Sequence, residues 1–132
     1  MDKLKRRGIL FVLSSPSWAG KTSIARYILD KDKNIKLSVS LTTRQKRKNE
    51  KAGIDYDFIS KDLFEKKIKN NFFLEWATVF GNYYGTSREK VQKTLQEGND
   101  VLFDIDWQGT QQLSDNKDFD LVTIFILPPS KN

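Results

Sequence analysis

A buried strand, a polar turn and a helix meet around Gly20-Lys21-Thr22, and this junction constrains the fold more than any other feature of the chain. Ile9–Leu13 is a continuous apolar run, which is typical of a strand that is buried on both faces. The next residues match the phosphate-loop pattern G-x-x-x-x-G-K-[ST] at its last three positions, with Ser15 in place of the first glycine. Apolar residues at helical spacing follow between Ile24 and Leu29. The junction therefore predicts a phosphate loop, and an ordinary strand-to-helix turn is the alternative.

The residue types in this loop suit phosphate chemistry. Backbone N–H groups and the helix N-terminus bind phosphate oxygens, Lys21 supplies a point charge, and the Thr22 hydroxyl is a ligand for Mg²⁺. Trp18 is unusual, because such loops close tightly and favour small residues; its indole either points outward or deforms the loop. The predicted nucleotide-binding positions are Ser15, Pro16, Ser17, Trp18, Ala19, Gly20, Lys21 and Thr22.

Strand-like and helix-like patterns alternate along the rest of the chain. This alternation favours an α/β fold with a mostly parallel sheet and helices on both faces. Gly98 is expected to end the third helix. We predict strands at 36–40, 56–59, 101–106 and 121–127, helices at 22–29, 61–70, 87–96 and shortly after 106, an apolar segment at 72–80, and a turn at Gly81-Asn82.

Two acids stand at the end of the apolar run that begins at Val101. Strand alternation places Asp104 and Asp106 on one face at the carboxyl end, where open α/β sheets bind their ligands. A carboxylate there holds Mg²⁺ or its water shell; two solvated acids are the alternative.

Composition excludes several kinds of chemistry. The chain has neither cysteine nor histidine, so disulfides, thiolate nucleophiles, Ser-His-Asp catalysis and Cys- or His-ligated metal sites are ruled out. The net charge is +6, and the segment from Lys31 to Lys51 holds eight Lys/Arg but only two acids, Asp32 and Glu50. That segment suits a phosphorylated small molecule, nucleic acid or membrane phosphate, or is a solvated face. Because most aromatic residues lie elsewhere, nucleic-acid binding is disfavoured. No apolar run approaches the ~20 residues of a membrane span, and we expect a cytoplasmic protein.

Three further motifs narrow the interpretation: S-V-S-L-T-T-R at 38–44, G-N-Y-Y-G-T-S at 81–87 and D-I-D-W-Q-G at 104–109. With them the sequence closely resembles the guanylate kinase family over essentially its whole length. The resemblance implies a P-loop nucleoside monophosphate kinase fold, with a core at 1–37 and 88–132 and an inserted GMP-binding subdomain at 38–87. It also implies Mg²⁺-assisted phosphoryl transfer from ATP to GMP, with GMP and GDP as substrate and product, in a monomer or weak homodimer without nucleic-acid or membrane partners.

The resemblance also assigns site residues. It implies catalytic roles for Lys21 and Arg44, and metal-binding roles for Thr22 and Asp104. Guanidinium forks and tyrosine hydroxyls suit phosphate oxygens. Guanine presents two adjacent donors that one carboxylate accepts together, whereas adenine presents an acceptor at N1. The implied GMP-binding residues are Arg44, Arg47, Tyr56 and Tyr84 for the phosphate, and Glu75, Ser40, Thr86 and Asp106 for the base.

Two departures from the family pattern bear on these expectations. Trp18 stands where the family has glycine, and the sequence ends at Asn132, where the family continues with a helix, an arginine-bearing lid, another helix and a last strand. We therefore expect a fold without that last strand, an exposed apolar edge at 121–127 and very low turnover. The alternative function is a non-catalytic module that binds GMP or another phospholigand.

Overall fold

The chain forms two compact units, each with its own sheet. In this computed structural model, residues 8–14, 21–105, 107–117 and 119–125 are described. Unit 1 comprises Met1–Leu37 and Lys93–Asn132, and unit 2 comprises Ser38–Gln92. The elements of the described residues are β1 (Leu10–Ser14), α1 (Lys21–Lys31), β2 (Ile35–Leu37), β3 (Ser40–Thr42), β4 (Tyr56–Phe58), α2 (Lys61–Lys69), β5 (Phe73–Val79), β6 (Asn82–Ser87), α3 (Arg88–Gln96), β7 (Asp100–Phe103), α4 (Trp107–Asp115) and β8 (Leu121–Phe125).

The sheet of unit 1 is parallel throughout, in the order β2-β7-β1-β8. The central strand β1 pairs with both neighbours, so that Leu10 lies opposite Val101 on one side and Leu121 on the other. Leu10, Val12 and Leu13 are fully buried, as the continuous apolar run predicts. The α/β fold with a parallel sheet and flanking helices is thereby confirmed.

Helix α1 packs through the face that its apolar spacing predicts. Ala25 is buried in a cluster with Leu13 and Leu102, and other apolar residues pack around these three. Side chains three and four positions apart lie on one helical face, which explains why this stripe meets the sheet. The partly buried residues around the cluster are Phe11, Ile24, Ile28, Leu29, Ile35 and Ile124.

The sheet of unit 2 is mixed, in the order β4-β3-β6-β5, and α2 contributes to its core. Phe64 of α2 is fully buried and stacks on Phe73, with ring centroids 4.3 Å apart, and on Tyr83 at 4.8 Å. Leu41 completes the buried cluster. Stacked aromatic rings contribute to stability beyond their buried area, so this cluster stabilises the small sheet by more than its buried area alone.

Local capping signals explain where two helices stop or start. Ser60 caps α2, because its hydroxyl accepts a hydrogen bond from the Leu63 N–H at 3.1 Å. Gly98 follows α3 with a φ of 87°, and its N–H donates to the Leu95 carbonyl while the Asn99 N–H donates to Thr94. These are the two bonds of a Schellman motif, which confirms that Gly98 ends the helix.

The predicted strand at 36–40 is wrong, because two strands occupy this segment. β2 pairs with β7 in the first sheet, whereas β3 pairs with β4 and β6 in the second. The chain changes sheets at Ser38-Val39, and no residue of the apolar pattern marks that change.

Two further boundaries differ from expectation, and a third, at the end of β8, is not tested. The β5–β6 turn is centred on Phe80-Gly81, both with positive φ, rather than on Gly81-Asn82, and β6 itself was not predicted. Strand β7 ends at Phe103, so Asp104 follows the strand instead of belonging to it. β8 is the last strand in the order β2-β7-β1-β8 and Phe125 is 73% exposed, whereas Ile126 and Leu127 lie outside the described residues.

Candidate functional site in unit 2

One face of the unit 2 sheet carries the polar residues of the predicted site. The register pairs Ser40 with Tyr56 across β3 and β4, and Glu75 with Thr86 across β5 and β6. Tyr84 lies two residues before Thr86 on the same strand, so it shares this face. The alternate residues face the aromatic core instead. Strand alternation therefore separates a polar site face from the face that packs on α2.

The guanine end of the predicted site is a buried carboxylate with a hydroxyl partner. Glu75 is 4% exposed and Thr86 is 2% exposed, and the Thr86 hydroxyl donates to Glu75 Oε1 at 2.5 Å. A buried carboxylate needs hydrogen-bond donors, so this contact orients the carboxylate within the sheet.

The phosphate end of the predicted site is a cluster of Arg44 and two tyrosines. Arg44 Nε donates to the Tyr84 hydroxyl at 3.1 Å, and Arg44 Cζ lies 5.2 Å from the ring centroid of Tyr56. The rings of Tyr56 and Tyr84 meet edge-on with centroids 5.8 Å apart. The two rings thus hold the guanidinium by a cation–π contact and a directional hydrogen bond.

Glu50 is the residue of this cluster that sequence reasoning missed. Its carboxylate accepts from Arg44 Nη1 at 3.0 Å and Nη2 at 2.8 Å, and from the backbone N–H of Arg47 at 2.8 Å. The two side chains of the ion pair are only 13% and 17% exposed. The hydrogen bonds from Arg44 lower the pKa of Glu50 from 4.5 to about 2, and the Glu50 bond correspondingly raises the pKa of Arg44. The available signal was an isolated acid inside the basic segment 44–51.

Two other predicted GMP-binding residues lie in unit 2 without joining these contacts by their side chains. Arg47 is exposed and contributes its backbone N–H to Glu50. Ser40 is half-buried at the start of β3, opposite Tyr56. The structure thus brings Arg44, Tyr56 and Tyr84 together, pairs Glu75 with Thr86, and leaves the Arg47 guanidinium at the surface.

The predicted ATP and metal residues belong to unit 1. Helix α1 begins at Lys21, shortly after β1 ends at Ser14, and Asp104 follows the end of the adjacent parallel strand β7. The carboxyl ends of these two strands meet at one sheet edge, and Asp104 is exposed there. The other predicted ATP-binding residues, Ser15, Pro16, Ser17, Trp18, Ala19 and Gly20, lie outside the described residues, as do the side chains of Lys21 and Thr22. The predicted guanine contact Asp106 also lies outside them.

The described part of the chain contains neither a membrane-spanning helix nor a cluster of three or more metal-binding side chains. No helix among these residues is both long and apolar enough to cross a bilayer. Nor do three His, Cys, Asp or Glu side chains gather there in an arrangement that would hold a metal ion.

Comparison with known proteins decides the family. The family model described as guanylate kinase matches residues 7–132. The chain belongs to the guanylate kinase family. Relatives in that family include the guanylate kinases of Agrobacterium fabrum, 57% identical over 127 residues, and Novosphingobium aromaticivorans, 56% identical over 129 residues. These alignments cover 96% and 98% of this chain.

The solved structures include a guanylate kinase with the same fold. The crystal structure of guanylate kinase from Anaplasma phagocytophilum matches with a TM-score of 0.80 and 40% identity, covering 96% of this chain and 63% of that one. The chain spans 58% of the length of the two curated guanylate kinases above.

Proposed function

We propose that unit 2 binds GMP, that the loop before α1 binds ATP, and that the chain serves phosphoryl transfer from ATP to GMP, giving ADP and GDP. The observation that carries the proposal is the shared face of the unit 2 sheet. A buried Glu75–Thr86 pair and the Arg44–Tyr56–Tyr84 cluster lie on that face, so a base-recognising group and a phosphate-binding group belong to one sheet. The similarity to guanylate kinases supports the same activity.

Glu75 is suited to discriminate guanine from adenine. Its carboxylate accepts hydrogen bonds only, and guanine offers N1–H and the exocyclic amine side by side. Adenine would bring its N1 acceptor against the acceptor oxygens of the buried carboxylate with no proton to share, a mismatch that reduces binding by a factor on the order of 10⁴. The Thr86 hydroxyl already orients this carboxylate, and Ser40 and Asp106 are proposed as further base contacts.

Arg44, Tyr56 and Tyr84 are suited to bind the phosphate of GMP, with Arg47 as a second arginine. A guanidinium fork matches phosphate oxygens, and the tyrosine hydroxyls add directional donors. In transfer, Arg44 and Lys21 would neutralise charge that develops on the transferred group, and no side chain needs to form a covalent intermediate. This chemistry requires no histidine, which agrees with the composition.

Mg²⁺ would be held by few protein groups. This ion keeps several waters and binds through one or two side chains plus substrate phosphates. The exposed carboxylate of Asp104, at the edge where β1 and β7 end, fits that requirement, and Thr22 in the first turn of α1 is the second proposed ligand. When bound, the ion would supply charge neutralisation on the ATP phosphates.

Calorimetry of the 132-residue chain tests the binding proposal. GMP should bind at least tenfold more tightly than AMP, and Glu75→Gln should remove most of that preference, because an amide presents only one acceptor. Glu89→Gln is the matched control, since Glu89 is an exposed glutamate in the first turn of α3. Equal affinity of the unaltered chain for GMP and AMP would defeat the assignment.

A coupled assay of ADP formation tests the transfer step. GMP-dependent turnover that Lys21→Ala abolishes would support phosphotransfer. Tight GMP binding without turnover, with ATP binding shown absent, would instead support the alternative of a non-catalytic GMP-binding module.

A further inference from the structure

Glu50 occupies one edge of the Arg44 guanidinium and leaves another edge facing a tyrosine. Arginine has five N–H donors. Arg44 uses Nη1 for the Gln45 carbonyl and Glu50 Oε1, Nη2 for Glu50 Oε2, and Nε for the Tyr84 hydroxyl. The second N–H of Nη2 meets no acceptor among the described residues. The end of the fork is therefore taken by Glu50, and the side edge with Nε and Nη2 lies beside Tyr84.

Two roles for Glu50 are consistent with an acid beside an anion-binding arginine. Glu50 could compete with phosphate for Arg44, or it could hold Arg44 in the orientation that phosphate needs. Its contacts favour the second role. Besides Arg44, the carboxylate accepts the Arg47 N–H, and the Glu50 carbonyl accepts from Lys46 Nζ at 2.9 Å. Glu50 is thus anchored in its loop, and displacing it would strand a largely buried carboxylate without its cation, which is costly.

We propose that Glu50 is a positioning residue, whose carboxylate clamps the end of the Arg44 guanidinium so that the second Nη2 N–H, beside the Nε–Tyr84 hydrogen bond, is presented to the phosphate monoester of GMP. The proposal rests on the proposed function of unit 2. It needs no movement of the ion pair, because the edge used for phosphate is not the edge used for Glu50. Preorganisation of this kind avoids the entropy of immobilising a long side chain when the ligand binds.

The two roles predict opposite signs for one substitution. Glu50→Gln removes a negative charge next to an anion site, so competition or simple Coulomb repulsion predicts tighter GMP binding. Positioning predicts weaker binding, because the amide nitrogen cannot accept from the guanidinium and Arg44 loses its fixed orientation. The expected loss is about three- to tenfold in affinity for GMP, from the cost of ordering one flexible side chain.

Calorimetry with GMP and an NMR shift titration with guanosine separate these outcomes on the full chain. Glu50→Gln should weaken GMP and leave guanosine unchanged, because guanosine has the base but no phosphate. Glu89→Gln, the same charge change at an exposed helix position, should alter neither ligand. Unchanged or tighter GMP binding by Glu50→Gln would overturn the proposal. If the unaltered chain bound guanosine but gained nothing from the phosphate of GMP, the phosphate-site assignment and the role of Glu50 would both fail.

A double-mutant cycle keeps the test decisive if Glu50→Gln perturbs the loop. Lysine cannot form the two-pronged contact, so in an Arg44→Lys background the Glu50→Gln change should alter GMP affinity less than about twofold. An equal loss in both backgrounds would show that Glu50 acts through loop folding rather than through Arg44, and would also overturn the proposal.

Discussion

Replacing Gly85 by alanine should destabilise unit 2, because the aromatic core closes over this position. A Cβ on Gly85 would lie 2.7 and 2.8 Å from two ring atoms of Phe73 and 3.0 Å from Cζ of Phe64. These rings are stacked, so neither turns aside without breaking the contact. Overpacking of this kind costs about 1–3 kcal/mol. Alanine also has fewer conformations than glycine in the unfolded chain, which stabilises the folded state by ~0.4–1 kcal/mol.

Steric overlap should outweigh the entropic gain, leaving a net loss of about 1–2 kcal/mol for Gly85→Ala. Thermal unfolding followed by differential scanning calorimetry should show a melting temperature lower by about 3–10 °C. Phe73→Leu removes the ring atoms in question, so the double variant should be less destabilised than the sum of the two single variants. A Gly85→Ala chain as stable as the unaltered one would refute the reasoning.

The same substitution should also affect GMP binding on the opposite face of the sheet. Gly85 lies between Tyr84 and Thr86, whose side chains belong to the proposed GMP site. If β6 shifts to relieve the overlap, the side chains of Tyr84 and Thr86 move with it. Small displacements of binding residues reduce affinity. GMP affinity should therefore fall together with stability in Gly85→Ala.

Three further predictions concern single contacts. Ser60→Ala should lower the free energy of unfolding by about 1 kcal/mol in urea titrations, because α2 loses its N-cap. Asp100→Ala should cost about 1–3 kcal/mol in the same assay, since Asp100 Oδ1 accepts the Ile9 N–H at 2.8 Å, and Asp100→Asn should cost less by keeping an acceptor. Glu50 has its pKa lowered from 4.5 to about 2, so its stabilisation is complete above pH 4.5 and disappears as the pH falls towards 2; after solvent screening we expect about 1 kcal/mol, absent in Glu50→Gln.

Local pattern was sufficient to predict β1 and α1 of unit 1, but not the bounds of β2 or the end of β7. The apolar run at Ile9–Leu13 is unbroken and its neighbour α1 repeats apolar residues every three to four positions, so burial and period agree. The C-terminal glycine of α3 acts through its own backbone, which makes its effect readable without tertiary information. Features that depend on a few adjacent residues were thus recoverable.

Unit 2 was harder to predict because some of its strands are short and because one face of its sheet carries the candidate site while the other packs on α2. β3 has three residues, too few to show a period, whereas the alternation at 56–59 did predict β4. The sequence of β6 is N-Y-Y-G-T-S. Its site residues lie on one face, and on the other face Tyr83 stacks on Phe64 and Gly85 lies beneath the aromatic rings. Neither face is simply apolar, so alternation of hydrophobicity did not reveal the strand.

The motif resemblance supplied candidate site residues, but only strand register shows which of them share a face. Ser40 pairs with Tyr56 across β3 and β4, and Glu75 pairs with Thr86 across the β5–β6 hairpin. A slip by one residue would turn each side chain to the core. The grouping of the candidate site is therefore a property of the sheet rather than of the motifs.

Glu50 shows why charge pattern alone misleads in this segment. An isolated acid among lysines and arginines is normally a solvated counter-charge, and its contribution to stability is small. Here the chain returns within six residues so that the carboxylate meets both the Arg44 fork and the Arg47 N–H, in a pair that is mostly buried. We therefore expect this acid to fix the orientation of Arg44 rather than to compete with a bound anion, and the sign of the Glu50→Gln effect on GMP affinity tests that expectation. In this loop the excess of positive charge at the surface comes from the exposed Lys46, Arg47, Lys48 and Lys51, while the Glu50 carboxylate holds the Arg44 guanidinium in place.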